Sequence, residues 1–381
     1  MSSKRIMIIA GEASGDMHGA KLAQAINDID KRALLFGVGG SAMQSQGVSL
    51  IVDARTIAVV GITEVFSKLP TIYRAMAIVK KALRRLKPDL LILIDFPDFN
   101  LRVAAAAKYL KIPVLYYISP QIWAWRQNRV KRIKRLVDHM AVILPFEAPF
   151  YRKHRVPVTF VGHPLLDRIS PASNQHALTA PTTQPVIGLL PGSREKEVKA
   201  LLPVMLSAAK RIKHKLPLAR FIVSCSDSVN ADPLMEAVGQ YASELDVTVI
   251  RGPVTRVFEQ SHMLVAASGT VTLEAALHGL PVVIIYKISP LSYWLGKRLI
   301  KVKYIGIANL IVQKELLPEL IQENASPWMI AETVTGMIED HVKFRQIKTE
   351  LLQIKDLLGG AGASGRVAGI AMGLIRRRRN V

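Results

Sequence analysis

The chain contains one cysteine, Cys225, among 381 residues. A single thiol excludes an internal disulfide framework and suits a reducing cytoplasm. No Cys/His spacing suggests a structural zinc. A signal peptide is not expected, because the apolar run 6–10 meets Glu12 and Asp16 too soon. The sequence also lacks an unbroken apolar run able to cross a bilayer. The nearest approach, 264–286, has Glu274 as its one charge but is interrupted by Ser268, Gly269, Thr270, Gly279 and Pro281. It reads as strand, turn, buried helix, turn and strand, not as a span of roughly 20 apolar residues.

Acidic residues are scarce: 29 Asp and Glu stand against 51 Lys and Arg, a formal net charge of +22. That balance attracts nucleic acid, anionic lipid or phosphorylated substrates without choosing among them. No zinc finger or RNA-binding signature is present, so nucleic acid is not the expected partner. The stretch 68–87 carries Lys68, Arg74, Lys80, Lys81, Arg84, Arg85 and Lys87 and no acid. Val65, Phe66, Leu69, Ile72, Tyr73 and Met76 recur there at helical spacing. A basic helix with an apolar face can lie on an anionic membrane. A core-packing helix with a solvated basic side reads from the same residues.

What is present is a rhythm. The length and a 50% hydrophobic content allow two globular domains. Apolar runs at 6–10, 34–37, 90–95, 114–119, 140–144 and 158–161 read as buried strands. Helical patterns at 16–26, 64–86, 101–110, 126–136 and 146–151 lie between them. After a polar, proline-containing stretch the alternation restarts, with strands at 186–190, 221–224, 247–250, 263–267 and 282–285. Helical patterns follow at 195–212, 234–241, 254–260, 272–277, 291–299 and 316–322, and the tail 328–379 is helical throughout. The pattern predicts an α/β chain of two Rossmann-like domains, each a parallel sheet with helices on both faces. The expected divisions are a first domain 1–165, a linker 166–184, a second domain 185–345 and a helical tail 346–381 packed on the first domain or a partner subunit. Ligands in such sheets bind at the carboxyl ends of strands.

The strand exits carry the candidate chemistry. At Pro191-Gly192-Ser193-Arg194 a strand turns into a long helical pattern, leaving unpaired backbone N–H groups. Ser193 can cap them, the helix start favours an anion, and Arg194 offers a fork suited to phosphate oxygens. An ordinary capped turn fits those residues equally well. Ser268-Gly269-Thr270 repeats the arrangement, and Glu274, one turn on, can accept two ribose hydroxyls but cannot seat a phosphate. In the first half, Gly11 to Gly19 lacks G-x-G-x-x-G spacing, and Glu12 is either functional or a helix-capping acid. Asp95 ends a wholly apolar run, where poor solvation raises proton affinity and suits a base. Asp98 and Asn100 sit where a cap for the next helix belongs. Trp123 and Trp125 wall an acceptor pocket or simply pack. His163 faces a cleft or makes a structural bond. Asn309 is the one polar group of an apolar loop, 307–310.

Gly11-Glu12-Ala13-Ser14-Gly15-Asp16, Asp95-Phe96-Pro97-Asp98-Phe99-Asn100, Ser119-Pro120-Gln121-Ile122-Trp123-Ala124-Trp125-Arg126, Pro191-Gly192-Ser193-Arg194 and Ala267-Ser268-Gly269-Thr270 occur in that order. Each is weak alone. As an ordered set over nearly the whole length, they resemble the lipid-A-disaccharide synthases. The resemblance implies the GT-B architecture, two domains facing across a cleft. It implies a glycosyltransferase that joins UDP-2,3-diacylglucosamine to 2,3-diacylglucosamine 1-phosphate (lipid X) at the cytoplasmic face of a Gram-negative inner membrane. It implies Asp95 as the base, Glu12 facing the cleft, and Arg194, Glu274 and Asn309 at the UDP end. In some members the C-terminal segments exchange within a homodimer. The sequence departs from the family pattern around Asn309. The usual preceding proline is Ala308, and Gly-Arg-Glu-Leu is replaced by Gln313-Lys314-Glu315-Leu316. No cofactor or metal is expected, because helix starts and Arg194 can neutralise a departing diphosphate. Asp28-Ile29-Asp30 sits at a polar helix end and is not read as a metal site. The rival readings are a UDP-N-acetylglucosamine 2-epimerase, which shares the fold, and a nucleic-acid-binding protein.

Overall fold

The computed structural model describes residues 3–57, 62–169, 184–289, 293–294 and 302–379. Contacts divide the chain into two units, Met1–Asp167 with Leu358–Val381, and Arg168–Leu357.

The first unit holds seven parallel strands: β1 (Arg5–Ala10), β2 (Leu34–Gly39), β3 (Ser49–Asp53), β4 (Leu90–Ile94), β5 (Val114–Tyr117), β6 (His139–Val142) and β7 (Val158–Phe160), in the order β3-β2-β1-β4-β5-β6-β7. Alternation along β1 supplies both faces. Ile6, Ile8 and Ala10 join a core with helix Ala13–Ile29 and helix Ala363–Arg379. Met7 and Ile9 join the opposite core, with helices Ile62–Leu86, Pro97–Tyr109, Val130–Leu136 and Glu147–Lys153. The helix Ile62–Leu86 bears on the membrane expectation. Ala75, Met76, Val79 and Leu83 lie in the core, with Ile72 packed against it. From Ile72 onward one apolar stripe is therefore a core face, while Tyr73, Ile78 and Leu86 are exposed. The side chains of Val65, Phe66 and Lys68 lie outside the described residues.

The second unit holds six parallel strands: β8 (Val186–Leu190), β9 (Arg220–Cys225), β10 (Val247–Arg251), β11 (Met263–Ala267), β12 (Val282–Tyr286) and β13 (Glu319–Ile321), in the order β10-β9-β8-β11-β12-β13. Helix Glu195–Lys215 packs on Pro327–Glu339, and Thr270–Leu277 packs on His341–Leu357.

Several elements differ from expectation. Residues 316–321 form no helix; Pro318 lacks the N–H that an interior helical position needs, and Glu319–Ile321 pairs with β12 instead, followed by a single 3-10 turn at Gln322–Asn324. Residues 307–310 lie in a helix, Ile307–Val312, whose Ala308, Asn309 and Ile311 are buried. The tail divides: His341–Leu357 belongs to the second unit and Ala363–Arg379 to the first. Apart from residues 293–294, the pattern at 291–299 lies outside the described residues, as do linker residues 170–183. Asp28-Ile29-Asp30 is a helix end, with Asp30 paired to Lys4.

Both sheets reverse direction once. The chain steps outward from β1 to β3 and then returns to β4 beside β1. It steps from β8 to β10 and then returns to β11 beside β8. At such a switch point the two exit loops diverge and leave a crevice. The loops thus singled out begin at Gly11 and Asp95 in the first unit, and at Pro191 and Ser268 in the second.

Candidate functional site

In the first unit, β4 ends at Ile94, and Asp95 and Phe96 follow with φ of +45° and +47°. Two consecutive left-handed non-glycine residues cost about 1–3 kcal/mol each and need support. Asn100 donates its Nδ2 to the Ile94 carbonyl at 3.1 Å and the Asp95 carbonyl at 2.7 Å. Tyr116 donates its hydroxyl to the same Asp95 carbonyl at 2.6 Å. Asn100 is therefore structural, but not as a cap. The helix begins at Pro97, and Asn100 lies inside it and reaches backward. Asp98 is also inside the helix and pairs with Arg129 at 2.6 Å.

The Asp95 carboxyl is half-buried. Burial, joined by the charge of Glu12, raises its pKa from 3.8 to about 6, against a lowering hydrogen bond from the Phe96 N–H. Glu12 occupies the N-cap position of its helix, yet its side chain makes no capping bond. Asp16, one turn in, does not cap this helix either; its carboxylate accepts from Gly40 N, Ala42 N and Met43 N and ties down the neighbouring segment after β2. Gly11 fixes how closely the two exit loops approach: a Cβ there would lie 2.3 Å from the Phe96 ring. The structure thus brings Glu12 and Asp95 together at the first switch point.

Trp123 is 8% exposed. Its indole N–H donates to Glu147 at 3.0 Å, and its ring meets Phe146 edge-on at 4.7 Å. Trp125, at 39% exposure, is the tryptophan of this loop that reaches solvent. His163 is buried; its Nδ1 accepts the Leu165 N–H, and burial holds it neutral, with its pKa lowered to about 4.

In the second unit a cavity of about 320 Å³ opens between the exits of β8 and β11. Gly192, Ser193, Glu197, Ser224, Ser226, Ser268, Gly269, Thr270 and Glu274 are among the residues that line it. Gly192 has φ +120°, and a Cβ there would meet the Glu197 carboxylate at 2.5 Å. Arg194, not Ser193, takes the N-cap position, and no side chain caps this helix start. Ser193 instead accepts at its carbonyl from Ser228 Oγ, 2.7 Å. Arg194 does not line the cavity but pairs with Glu197, which does, at 3.0 Å. The helix from Thr270 carries no acid in its first turn. Burial raises the pKa of Glu274, opposed by the charge of Arg168. The walls therefore offer hydroxyls, backbone donors and two carboxylates, a set suited to a diphosphate joined to a hydroxyl-rich ring.

Asn309 is not among the residues that line this cavity. It is fully buried; it donates to Leu317 O and Glu319 and accepts from Leu316 N and Leu317 N, each at 2.7–2.9 Å. Glu319 also receives Ile305 N and Gly306 N. Asn309→Ala would strand two buried N–H groups, an expected loss of about 2–4 kcal/mol read as a lower urea midpoint; an unchanged midpoint would show these bonds carry little. Lys314, at the departure from the family pattern, is paired with Glu350.

Sequence reading passed over Glu147, Glu197 and Glu319. Glu147 is 1% exposed, and its pKa is raised to about 7 by burial against bonds from Leu144 N, Trp123 and Ile143 N. Its signal was present: an acid just after a strand exit, between Phe146 and Phe150.

A model of the lipid-A-disaccharide synthetase family matches residues 6–361. The lipid-A-disaccharide synthase of Geobacter metallireducens is 46% identical over 381 residues, 99% of each chain. That of Coxiella burnetii is 40% identical over 379 residues, 98% of this chain and all of the other. Among solved structures, a UDP-GlcNAc 2-epimerase from Neisseria meningitidis bound to UDP-GlcNAc superposes with a TM-score of 0.63 at 14% identity, over 97% of this chain and 100% of the other. The calicheamicin glycosyltransferase CalG4 gives 0.60 at 14%, over 99% and 100%. Likeness at that identity shows the fold alone, the GT-B kind of α/β chain with two parallel sheets. The matches in sequence are what separate this chain from the epimerases: it belongs to the lipid-A-disaccharide synthase family, glycosyltransferases that form the disaccharide of lipid A in lipopolysaccharide biosynthesis.

Proposed function

We propose that the chain joins UDP-2,3-diacylglucosamine to lipid X through a β-1,6 linkage and releases UDP. The acceptor 6-hydroxyl gives its proton to the Asp95 carboxylate and attacks the anomeric carbon. The bond from that carbon to the diphosphate breaks, and the electron pair leaves with UDP. An α-linked donor giving a β-linked product requires a single inversion. The helix starts after β8 and β11, with Arg194, take the growing charge on the diphosphate. Ser268, Gly269 and Thr270 supply N–H and hydroxyl donors, and Glu274 accepts the ribose hydroxyls. Glu12 keeps the base basic through its charge.

The observation that carries this reading is Asp95 itself. It is a half-buried carboxyl at a switch point, raised to about 6 beside a second acid. A general base works best when its pKa lies near the operating pH. The test is an incubation with both substrates, scoring disaccharide and UDP. The working form is the carboxylate, so kcat/KM should fall tenfold per pH unit below about pH 6, not below the pH 4 of an ordinary carboxyl. No disaccharide at any pH would sink the substrate assignment. An acid limb near pH 4 would sink Asp95 as this base.

The acyl chains of both substrates favour peripheral attachment to the cytoplasmic face of the inner membrane. No helix among the described residues is long and apolar enough to cross a membrane. The outward side of helix Ile62–Leu86 supports surface binding, with exposed Tyr73 and Ile78 beside Arg74, Lys81, Arg84 and Arg85. A homodimer with exchanged C-terminal segments would reseat helix Ala363–Arg379 on the partner's copy of the face it covers within one chain.

A further inference from the structure

The loop after β5 has a buried floor and an exposed tip. Ile122, Trp123 and Ala124 are buried, whereas Trp125 and Arg126 are exposed. The floor is pinned from below. Besides the Trp123–Glu147 bond, Ser119 Oγ and the Tyr151 hydroxyl lie 2.7 Å apart, both buried. Gln127 Nε2 holds the Trp123 carbonyl at 3.0 Å. On that floor the Arg126 guanidinium stacks 4.4 Å above the Trp125 ring, on a backbone with φ +55°. A left-handed arginine is an uncommon backbone state, and here it sets the guanidinium over the indole at an exposed tip, with no acidic partner among the described residues.

The tip is tied to the reacting end of β4. β5 lies beside β4, and its Tyr116 bonds the Asp95 carbonyl. Three residues past Arg126, Arg129 pairs with Asp98, three residues past Asp95. Arg129 is thereby committed, while Arg126 makes no ion pair among the described residues. Charge gives the tip a task. Glu12 and Asp95 make the base region acidic, and a phosphorylated acceptor is repelled there unless a cation holds its phosphate to one side.

We propose that Arg126, stacked on Trp125, is the subsite for the phosphate of the sugar-phosphate acceptor, with the indole as a wall beside the sugar ring. Stacking leaves the edge of the guanidinium free, a fork of N–H donors that matches phosphate oxygens. The Glu147–Trp123 bond is the positioning contact that sets the tip. This inference rests on the acceptor assignment above and adds the residue that reads its phosphate.

The test compares two acceptors with the same acyl chains, one bearing the 1-phosphate and one lacking it. Wild type should favour the phosphorylated acceptor by roughly 10–100-fold in kcat/KM, the worth of a charge-assisted contact. Arg126→Ala should shrink that ratio to within about threefold, chiefly through acceptor KM, with Arg126→Lys between the two. Arg126→Gly, which relieves the left-handed backbone, repeats the measurement if the alanine variant unfolds. A ratio that survives in these variants overturns the subsite, as does a parallel loss on both acceptors. Wild type inactive on both would overturn the acceptor assignment as well, a result distinct from an active enzyme whose preference ignores Arg126.

Discussion

At pH 8, Asp95→Asn is expected to lose roughly 10²–10⁴ in kcat while unfolding at a higher temperature than wild type. The two effects share one cause. The native site raises the carboxyl from 3.8 to about 6, by burial first and the Glu12 charge second. The folded state thus penalises the charged form. The penalty is absent below pH 4, grows between the two values and is complete above pH 6. The amide removes the charge and keeps an acceptor for the Phe96 N–H. The gain should be of the order of 1–3 kcal/mol at pH 8, a few degrees in Tm, and should vanish as pH falls toward 4. UDP affinity should stay within a few-fold, since the residues around the second-unit cavity are untouched. Glu12→Gln is the companion measurement. It should shift the acid limb of kcat/KM downward without bringing it to pH 4, because burial is the larger cause. An Asp95→Asn enzyme that is inactive and also less stable at pH 8 would mean that Asp95 supports the loop more than it serves the reaction.

How much of this could be read from residues alone follows from what each strand touches. β1, β4, β5, β8, β11 and β12 are covered on both faces, so they appear as continuous apolar runs, and their expected bounds lie within two residues of those observed. The two strands missed, β3 and β13, are edge strands, only partly buried, and their apolar runs are short, Leu50–Val52 and Leu320-Ile321. The switch-point loops were legible because the runs stop at glycine, serine or aspartate. The direction of the side chains was not. Asn309 sits in an apolar neighbourhood in sequence, and nothing local says that the backbone at 316–317 will use both sides of its amide. Trp123 and Trp125 are two residues apart; Glu147, 24 residues beyond Trp123, determines which is buried. Ser193 and Arg194 exchange the cap position expected for them because the turn closes one residue later. Propensity fixes where a helix begins only to within a residue or two.

The helix start after β8 leads to the second large effect, on UDP affinity. Arg194 and Glu197 form an ion pair across one helical turn, with both side chains partly exposed. Such a pair adds little to stability. Its importance lies in where Glu197 points: its carboxylate lies over Gly192 and lines the cavity proposed for the diphosphate. Arg194 therefore screens a negative charge that would otherwise face an anion. Arg194→Ala removes one charge-assisted donor and unmasks Glu197, and should weaken UDP binding by roughly 30–300-fold, or about 2–3.5 kcal/mol. Glu197→Gln should bind UDP as tightly as wild type or more so. The double variant should recover about tenfold of the loss, because part of the single-variant defect is repulsion and not a missing contact. High salt should narrow the difference between Arg194→Ala and wild type. These dissociation constants can be measured by calorimetry with UDP alone, independent of acceptor and membrane. If Arg194→Ala binds UDP within threefold of wild type, the diphosphate does not rest on this turn, and the start at Ser268-Gly269-Thr270 must hold it alone.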